Sequence, residues 1–506
     1  MNEPTSCIVT FYHDVEQNFD SDADPKVCRD TVQKFIALEN RYGARATYDV
    51  VGKLMQDQPD LVDWILRDGH ELAFHSCDHY PDWQPQHYAE QVAACRKLSS
   101  VPKGYRSPRS QWDRSTTKAL WDNGFLWSAE NEAHSAEPYF IYKGLVRLPI
   151  FADEWPIVEG SYDHAERLSR FRNALSTKSY VAIGLHDYIA SVDSETWLGA
   201  WEQLLQIAVE HGALILTFGE TADLYRRGAV SRHYDSTAQA WNGHPNTLYR
   251  TKRFGEMIRT EAEKLNRPVI ADLASSGAVQ AYPLTDIAAR IYWVENSPGR
   301  VASIRTNDRI DGIVGELTAT NLPDQSIDFL FCVNAVEYLF WPEHLADEIK
   351  RIAKPGATYL IRFPVACGSP LWPAVTPPGR IQHNFTHEEI SEFVQLLGPG
   401  ELVGIQYAAS EPESPEDEVG YRKMESDPPD GAIPMFWVLT GKVERSDRIA
   451  GRRTIPLSAC PFEFKTRQSD LRQLIHSVRH KLPEPIKQIA RILLGRTKKR
   501  RSRKAA

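Results

Sequence analysis

Short hydrophobic runs alternate with amphipathic stretches through the N-terminal part of the chain. A buried-strand pattern at 7–12 is followed by a helical pattern at 32–42. Alternation of this kind is typical of α/β folds with parallel strands. The other strands predicted in this unit lie at 46–51, 71–75, 126–128, 180–185 and 213–218.

A second α/β unit follows a stretch of polar and small residues around 226–246. Its predicted strands lie at 269–273, 291–294, 329–333, 358–363 and 435–440, and an exposed loop rich in Pro, Asp, Glu and Ser is predicted at 410–431. We therefore divide the chain into an N-terminal unit (1–228), a linker (229–248), a second α/β unit (249–445) and a tail (446–506).

Composition agrees with a multidomain globular protein. The 506 residues are 42% hydrophobic and 25% charged, which excludes disordered and fibrous classes for most of the length. There is no run of about 18 apolar residues and no export signal pattern. The seven cysteines are scattered without any C-x-x-C pair, so neither a disulfide framework nor a zinc knuckle is predicted. We expect a cytoplasmic protein with reduced thiols.

Charge separates the tail from the rest of the chain. Residues 446–506 hold 17 Lys and Arg against four Asp and Glu, a net of about +13, whereas the whole chain has a net charge of −8. The remainder is therefore acidic.

Two histidines four residues apart follow a predicted strand in the N-terminal unit. His75 and His79 are spaced so that both imidazoles can face one cation as the chain leaves the strand. A third ligand is available at the end of the first strand, where His13, Asp14 and Glu16 follow one another closely. The carboxyl ends of parallel strands are where active sites of α/β folds lie.

These residues resemble the motifs of the NodB-homology polysaccharide deacetylases. The resembling segments, in the order that the family has them, are His13-Asp14, Gly69-His70-Glu71 with His75 and His79, Gly104-Tyr105-Arg106-Ser107-Pro108, and Ile183-Gly184-Leu185-His186. The resemblance covers about 5–225. It implies a distorted (β/α) barrel and a divalent metal, usually zinc, with Asp14, His75 and His79 as ligands. It further implies that His186 is the general acid and that Arg106 orients the base.

The first motif departs from the family, which has two adjacent aspartates, the first acting as base. Here His13 occupies the first position, and Glu16 lies two residues beyond Asp14. Either His13 is the base, or Glu16 joins the metal and Asp14 acts as base; we take Asp14 as the ligand. The fourth motif of the family has an acidic residue near the end of a strand, and here that segment reads Ser128-Ala129-Glu130. Asp153 is a further acidic residue that could reach the cleft.

The second unit opens with a strand that runs into small residues, at 269–277, where a backbone can closely approach a ligand. Glu295, at the end of the next predicted strand, suits the two hydroxyls of a ribose. The segment 250–443 resembles class I S-adenosylmethionine-dependent methyltransferases, which implies a Rossmann-like fold and that cofactor. The candidate contacts are Asp272, Gly277, Glu295 and Glu316.

The glycine-rich loop of that family is eroded here. Only Gly277 remains of the usual three glycines, and each added Cβ restricts the backbone. The alternative to an active methyltransferase is therefore a retained fold that serves as a scaffold.

The tail combines an amphipathic helical pattern at 485–494 with a basic run at 496–504. This combination favours an anionic membrane surface, at the inner face of the membrane, over a plain solvated tail. No nucleic acid is expected, because base-stacking aromatics do not accompany the charge.

Together these features predict a metal-dependent deacetylase of an N-acylated sugar or glycan precursor, fused to a methyltransferase, in surface polysaccharide biosynthesis. The alternatives are a deacetylase with an inert methyltransferase-like domain, and a non-catalytic glycan-binding or scaffold protein.

Overall fold

The computed structural model describes residues 7–17, 24–79, 84–132, 135–237, 245–303, 308–333, 335–365, 384–408, 433–444, 455–462 and 464. These residues form two α/β units, each built on its own sheet. The predicted loop at 410–431 and the tail segments at 485–494 and 496–504 lie outside the described residues.

The strands of the first unit are β1 (Ile8–Val15), β2 (Thr47–Val50), β3 (Glu71–Phe74), β4 (Gly104–Arg106), β5 (Trp127–Asn131), β6 (Tyr139–Phe140), β7 (Val146–Ile150), β8 (Tyr180–His186) and β9 (Leu214–Ile215). The helices of the first unit are α1 (Pro25–Arg41), α2 (Gly52–Asp57), α3 (Pro59–Arg67), α4 (Pro85–Leu98), α5 (Arg114–Asp122), α6 (Trp155–Val158), α7 (His164–Thr177), α8 (Asp187–Val192), α9 (Ser194–Glu210) and α10 (Phe218–Thr237).

The first sheet curls into a distorted barrel. Its order is β6-β7-β5-β4-β3-β2-β1-β8, with β9 beside β1, and every described pair except β6 with β7 is parallel. The chain beyond β7 pairs with β8 through Ala152 and Ile183, which brings the two ends of the sheet together. The predicted barrel is confirmed, although β4, β6 and β7 are absent from the sequence prediction. Strands β4 and β6 have only three and two residues, and the hydrophobic residues of β7 are interrupted by Arg147 and Pro149.

Alternating residues of the strands face two separate cores. On β1, Phe11 and Val15 pack in the outer core beneath the helices, while Ile8 and Tyr12 pack inside the barrel. The interior is crowded by large rings. A Cβ on Gly184 would lie 2.0 Å from the Tyr12 ring, so only glycine fits at that point.

The strands of the second unit are β10 (Val269–Leu273), β11 (Arg290–Glu295), β12 (Ile310–Val314), β13 (Ile327–Cys332), β14 (Ala353–Pro364), β15 (Gly400–Ala408) and β16 (Ile433–Lys442). Its helices are α11 (Pro245–Glu263), α12 (Pro298–Ser303), α13 (Pro342–Ile352) and α14 (His387–Leu397).

The second sheet has the order β12-β11-β10-β13-β14-β16-β15, with β16 antiparallel to both neighbours. Strand order reverses between β10 and β13, which makes the carboxyl end of β10 a topological switch point, where ligands bind in open α/β sheets. The predicted Rossmann-like fold is confirmed. The sequence prediction omits β12 and β15.

Two predicted boundaries differ from the structure. The predicted linker is partly helical, because α10 runs on to Thr237 and α11 begins at Pro245. The first part of the predicted tail is packed rather than solvated: Ile455 and Phe462 are buried in the same core as Phe218. Within the described residues, no helix is both long and apolar enough to cross a membrane.

Candidate functional site

The end of β1 presents two carboxylates on one side of the sheet. Asp14 and Glu16 are two residues apart, so alternation directs both toward the mouth of the barrel, and both are almost fully buried. The turn beyond them is fixed by Asp187, whose carboxylate accepts hydrogen bonds from the backbone N–H groups of Glu16 and Gln17 at 3.0 and 3.1 Å. Asp187 follows His186 directly, so β8 holds the turn of β1.

The two histidines after β3 converge on Glu16. The Nε2 atoms of His75 and His79 lie 2.8 and 3.4 Å from Glu16 Oε1. A tight turn makes this convergence possible: Ser76 and His79 adopt positive φ angles of 62° and 44°, and the Ser76 hydroxyl accepts a hydrogen bond from the His79 N–H.

The group Glu16, His75 and His79 fits a divalent metal. Its ligand atoms lie within 4.8 Å of one another. A carboxylate and two imidazoles are donors that zinc favours, and tetrahedral donors at about 2.0–2.1 Å from zinc lie roughly 3.3 Å apart, near the separations seen here. The structure therefore brings together the two predicted histidines with Glu16. Asp14, which we took as the third ligand, lies 3.6 Å from His75 Nδ1 and forms a second group of possible ligands with Glu16 and His186.

Asp14 is engaged by Arg106 instead. The Arg106 Nε lies 2.8 Å from both carboxylate oxygens of Asp14. Burial alone would raise the pKa of Asp14, but Arg106, His75 and His186 together hold it below its usual value. Asp14 is thus an oriented, ionised carboxylate beside the metal group, as a general base requires.

His186 reaches the same centre from the end of β8. Its Nε2 lies 3.4 Å from Asp14 Oδ2 and 3.6 Å from Glu16 Oε1, and its Nδ1 contacts Glu154 at 2.5 Å. Burial alone would lower the pKa of His186, but the charges of Glu154, Glu16 and Asp14 raise it to about 10. A protonated imidazole at neutral pH suits a general acid.

Glu154 is a site residue that the sequence analysis missed. It lies in the loop after β7, fully buried, next to the further candidate Asp153. The expected acid near Glu130 has a different role, since Glu130 accepts a hydrogen bond from the Ser107 N–H and supports the segment after Arg106. The only sequence signal for Glu154 is an acid at the end of a hydrophobic run.

His13 is not part of this centre. Alternation in β1 places its ring on the opposite face of the sheet from Asp14, where its Nε2 lies 2.6 Å from Glu39 Oε1. The ring stacks on Tyr48 at 4.6 Å and packs against Trp201 in the outer core. We therefore do not retain His13 as a base, because it cannot reach a group at the barrel mouth.

In the second unit, the loop after β10 contains three residues in the left-handed region, of which one is glycine. Ala274, Gly277 and Ala278 all have positive φ angles, of 67°, 63° and 55°. Asp272 ends the strand and binds this loop, accepting hydrogen bonds from the N–H and hydroxyl of Ser275. Burial raises the pKa of Asp272 to about 7.

Glu295 lies at the end of β11, beside this loop, where a ribose ligand is expected. Its carboxylate accepts hydrogen bonds from the Ser297 N–H at 3.2 Å and from Arg300 Nη1 at 3.4 Å. Part of its capacity to accept hydrogen bonds is therefore used within the protein. Its position fits the predicted cofactor.

Glu316 does not fit the predicted contact with the cofactor. Its carboxylate is buried against the Arg227 guanidinium of α10, which also donates to the Ile455 carbonyl at 2.9 Å. The pair joins the two units, and we do not retain Glu316 as a cofactor ligand.

Comparison with family models assigns both units. Residues 13–126 match the polysaccharide deacetylase family, and residues 271–361 match the methyltransferase domain family. The chain is similar to polysaccharide deacetylases at one end and to methyltransferases at the other. This confirms both predicted resemblances.

Relatives of the methyltransferase-like unit include a protein from Mycolicibacterium smegmatis named as a probable S-adenosylmethionine-dependent methyltransferase. It is 27% identical over 97 residues, which are 18% of this chain and 38% of the relative. The chain thus spans well under half the length of that relative.

Solved structures similar to the deacetylase-like unit include a family 4 carbohydrate esterase from Streptomyces lividans in complex with acetate. It is 14% identical, with 42% of this chain and 92% of that chain covered and a TM-score of 0.30. A CE4 family pseudoenzyme from Bacillus anthracis is 11% identical, with 44% of this chain and 67% of that chain covered and a TM-score of 0.32.

Proposed function

We propose that the N-terminal barrel is a metal-dependent deacetylase that hydrolyses the amide of an N-acylated sugar or glycan precursor. The observation that carries the proposal is the convergence of three groups at one point: the donors Glu16, His75 and His79, the Asp14–Arg106 pair, and the His186–Glu154 pair. Such a set supplies the metal ligands, the base and the acid that amide hydrolysis needs.

In this mechanism, a divalent cation held by Glu16, His75 and His79 would polarise the amide carbonyl and lower the pKa of water. Asp14 takes the proton of the attacking water, and Arg106 keeps that carboxylate aimed and ionised. His186 donates its proton to the leaving amine as the carbon–nitrogen bond breaks. Glu154 fixes the ring of His186 so that Nε2, rather than Nδ1, faces the reacting atoms.

Elemental analysis and acetate release from N-acetylated sugar oligomers test this proposal together. His75→Ala and His79→Ala should each lose bound metal and hydrolysis, because three protein ligands are the minimum for an open catalytic zinc site. His211→Ala, a change at an exposed histidine, is the matched control and should lose neither. Full metal occupancy in His75→Ala and His79→Ala would refute the site.

For the second unit we propose binding of S-adenosylmethionine and methyl transfer to the same or a related glycan precursor. The match to the methyltransferase domain and the position of Glu295 support this. The alanines at positive φ and the engagement of Glu316 by Arg227 favour the second candidate, a scaffold that retains the fold. A calorimetric titration with S-adenosylmethionine separates the two, since a scaffold gives no binding heat.

We also propose that the enzyme acts in surface polysaccharide biosynthesis, on precursors made in the cytoplasm, and that its basic tail holds it at anionic membranes. Each Lys or Arg near such a surface contributes about 1 kcal/mol, which fades within a Debye length of about 8 Å at physiological salt. Truncation after Leu494 should release the protein from anionic vesicles and leave deacetylation of a soluble substrate intact. Equal cosedimentation of truncated and full-length chains would refute the membrane proposal.

A further inference from the structure

A cavity of about 560 Å³ lies between the chain that follows β7 and helix α7. Its wall includes Asn131, Phe151, Asp153, Tyr162, Arg167 and Arg170. Asp153 links the cavity to the site, because it lines the cavity and its carboxylate interacts electrostatically with His186, the proposed general acid. Its volume is in the range of small-molecule sites, about 300–1,000 Å³.

Arg167 is the unusual residue of this wall. It is 2% exposed, and its Nη2 donates to the Gly184 carbonyl at 2.7 Å. Its Nε and Nη1 are buried without a hydrogen-bond partner among the described residues. The charges of the nearby Glu154 and Asp153 carboxylates compensate part of the cost of burying this guanidinium. Its unpartnered donors still cost free energy, because a buried N–H without an acceptor loses its hydrogen bonds to water.

The other charged groups of the wall are already engaged. Arg170 is paired with Glu166 at 2.7 Å and stacks over Tyr162 at 4.6 Å. Glu132 accepts a hydrogen bond from the Tyr139 hydroxyl at 2.9 Å. Asp153 accepts one from the Trp155 N–H at 3.2 Å. In the part of the chain that the structure describes, Glu154 and Asp153 act on Arg167 through their charge, but neither accepts a hydrogen bond from its Nε or Nη1.

We propose that this cavity binds an oxyanion substituent, a carboxylate or a phosphate, carried by the acylated sugar, and that Arg167 is its main ligand. Arg167 carries a permanent positive charge and two nitrogens without a hydrogen-bond partner, each of which can donate a charge-assisted hydrogen bond to an oxygen of such a group. The inference rests on the proposed deacetylase function and narrows its substrate class to acidic sugars. The aromatic and amide side chains of the wall suit the ring and the hydroxyls of the same sugar.

Calorimetric titration of the full chain tests the proposal with three probes: N-acetylglucosamine, its derivative oxidised to a carboxylate at the primary hydroxyl, and its derivative phosphorylated there. We expect one acidic probe to bind at least about tenfold more tightly than the neutral sugar. The stronger of the two acidic probes identifies the oxyanion. Equal affinity for all three, or no binding by any, overturns the proposal.

The variants Arg167→Gln and Arg167→Lys assign the preference to Arg167. The glutamine should abolish the acidic preference, and the lysine should retain part of it, because it keeps the positive charge but places its donors differently. Arg172→Gln, an exposed arginine on the same helix, is the control and should keep the full preference. A preserved preference in Arg167→Gln overturns the assignment.

The experiments distinguish failure of the oxyanion-site proposal from failure of the proposed deacetylase function. Metal content and acetate release from a neutral N-acetylated oligomer report on the metal group and not on Arg167. Hydrolysis of the neutral substrate without any acidic preference therefore overturns only the oxyanion site. If Arg167→Gln does not fold, as judged by near-ultraviolet circular dichroism, Arg167→Lys takes its place. A reduced acidic preference in the lysine variant then supports the assignment, and a full preference overturns it.

Discussion

At the mouth of the barrel, each proposed reacting group is held by a partner that leaves its functional atom directed at a common centre. Arg106 holds Asp14, and Glu154 holds His186. At the carboxyl edge of the second sheet, the predicted cofactor groups instead use their hydrogen-bonding capacity on the protein itself. Asp272 binds its own loop, and Glu316 is paired with Arg227 of α10. The first arrangement is organised for chemistry, whereas the second also serves to hold the two units together.

The backbone differs between the two regions as well. The turn after β3 accepts a positive φ at His79 and thereby aims a ligand. In the loop after β10, Ala274 and Ala278 adopt positive φ without any such gain. A left-handed conformation costs a non-glycine residue roughly 1–2 kcal/mol. Strain at the first site is therefore linked to a function, while in the second region its benefit depends on whether a cofactor binds.

The largest effect is expected at His186. His186→Gln should lower the turnover rate of deacetylation by about 100- to 10,000-fold, the range for loss of a general acid, and leave bound metal at the wild-type level. Steady-state kinetics and elemental analysis on the same preparation measure both. If His186→Gln also loses the metal, then His186 is a ligand and the barrel site is arranged differently.

A smaller effect is expected in the second unit. Glu295→Ala should weaken S-adenosylmethionine by about 1.5–3 kcal/mol, because hydrogen bonds to a charged group are lost. Glu316→Gln should leave that affinity unchanged, since its carboxylate faces Arg227. Calorimetry on both variants measures the difference. Unchanged affinity in Glu295→Ala, or an equal loss in Glu316→Gln, contradicts this assignment of the cleft.

The smallest effect concerns loop strain. Ala274→Gly and Ala278→Gly should each raise the free energy of unfolding by roughly 0.5–1 kcal/mol, because glycine adopts positive φ without a Cβ clash. Ala281→Gly, at an ordinary helical φ of −74°, is the matched control and should be destabilising. Denaturant unfolding provides the comparison. A loss of stability in both loop variants would show that the methyl groups contribute packing that exceeds the strain.

The sequence predicts much of this arrangement, and its failures have physical causes. The hydrophobic runs predict both α/β units, the spacing of His75 and His79 predicts that they face one cation, and the resemblance to the deacetylase family implies that Arg106 and His186 join them. Glu154 is not predicted, because its place beside His186 depends on how the loop after β7 closes the barrel. The engagement of Glu316 by Arg227 is not predicted either, because Arg227 lies far away in the chain.

His13 illustrates a different cause. Its family position suggests a base, but a strand turns alternate side chains to opposite faces. Asp14 and Glu16 therefore share the barrel mouth, and His13 joins Glu39 in the outer core. The geometry favours the alternative in which Glu16 binds the metal and Asp14 acts as base, because Arg106 engages both oxygens of Asp14, although Asp14 also forms a second group of possible ligands with Glu16 and His186. Spacing alone could not decide this, because both carboxylates face the same way.

The metal content of two matched variants tests the central claim, that Glu16 rather than Asp14 completes the metal group. We predict that Asp14→Asn retains metal near the wild-type level while losing deacetylation, and that Glu16→Gln loses the metal itself. Elemental analysis of both proteins, purified side by side with the wild type, gives the answer. Loss of metal in Asp14→Asn together with full occupancy in Glu16→Gln would contradict the account.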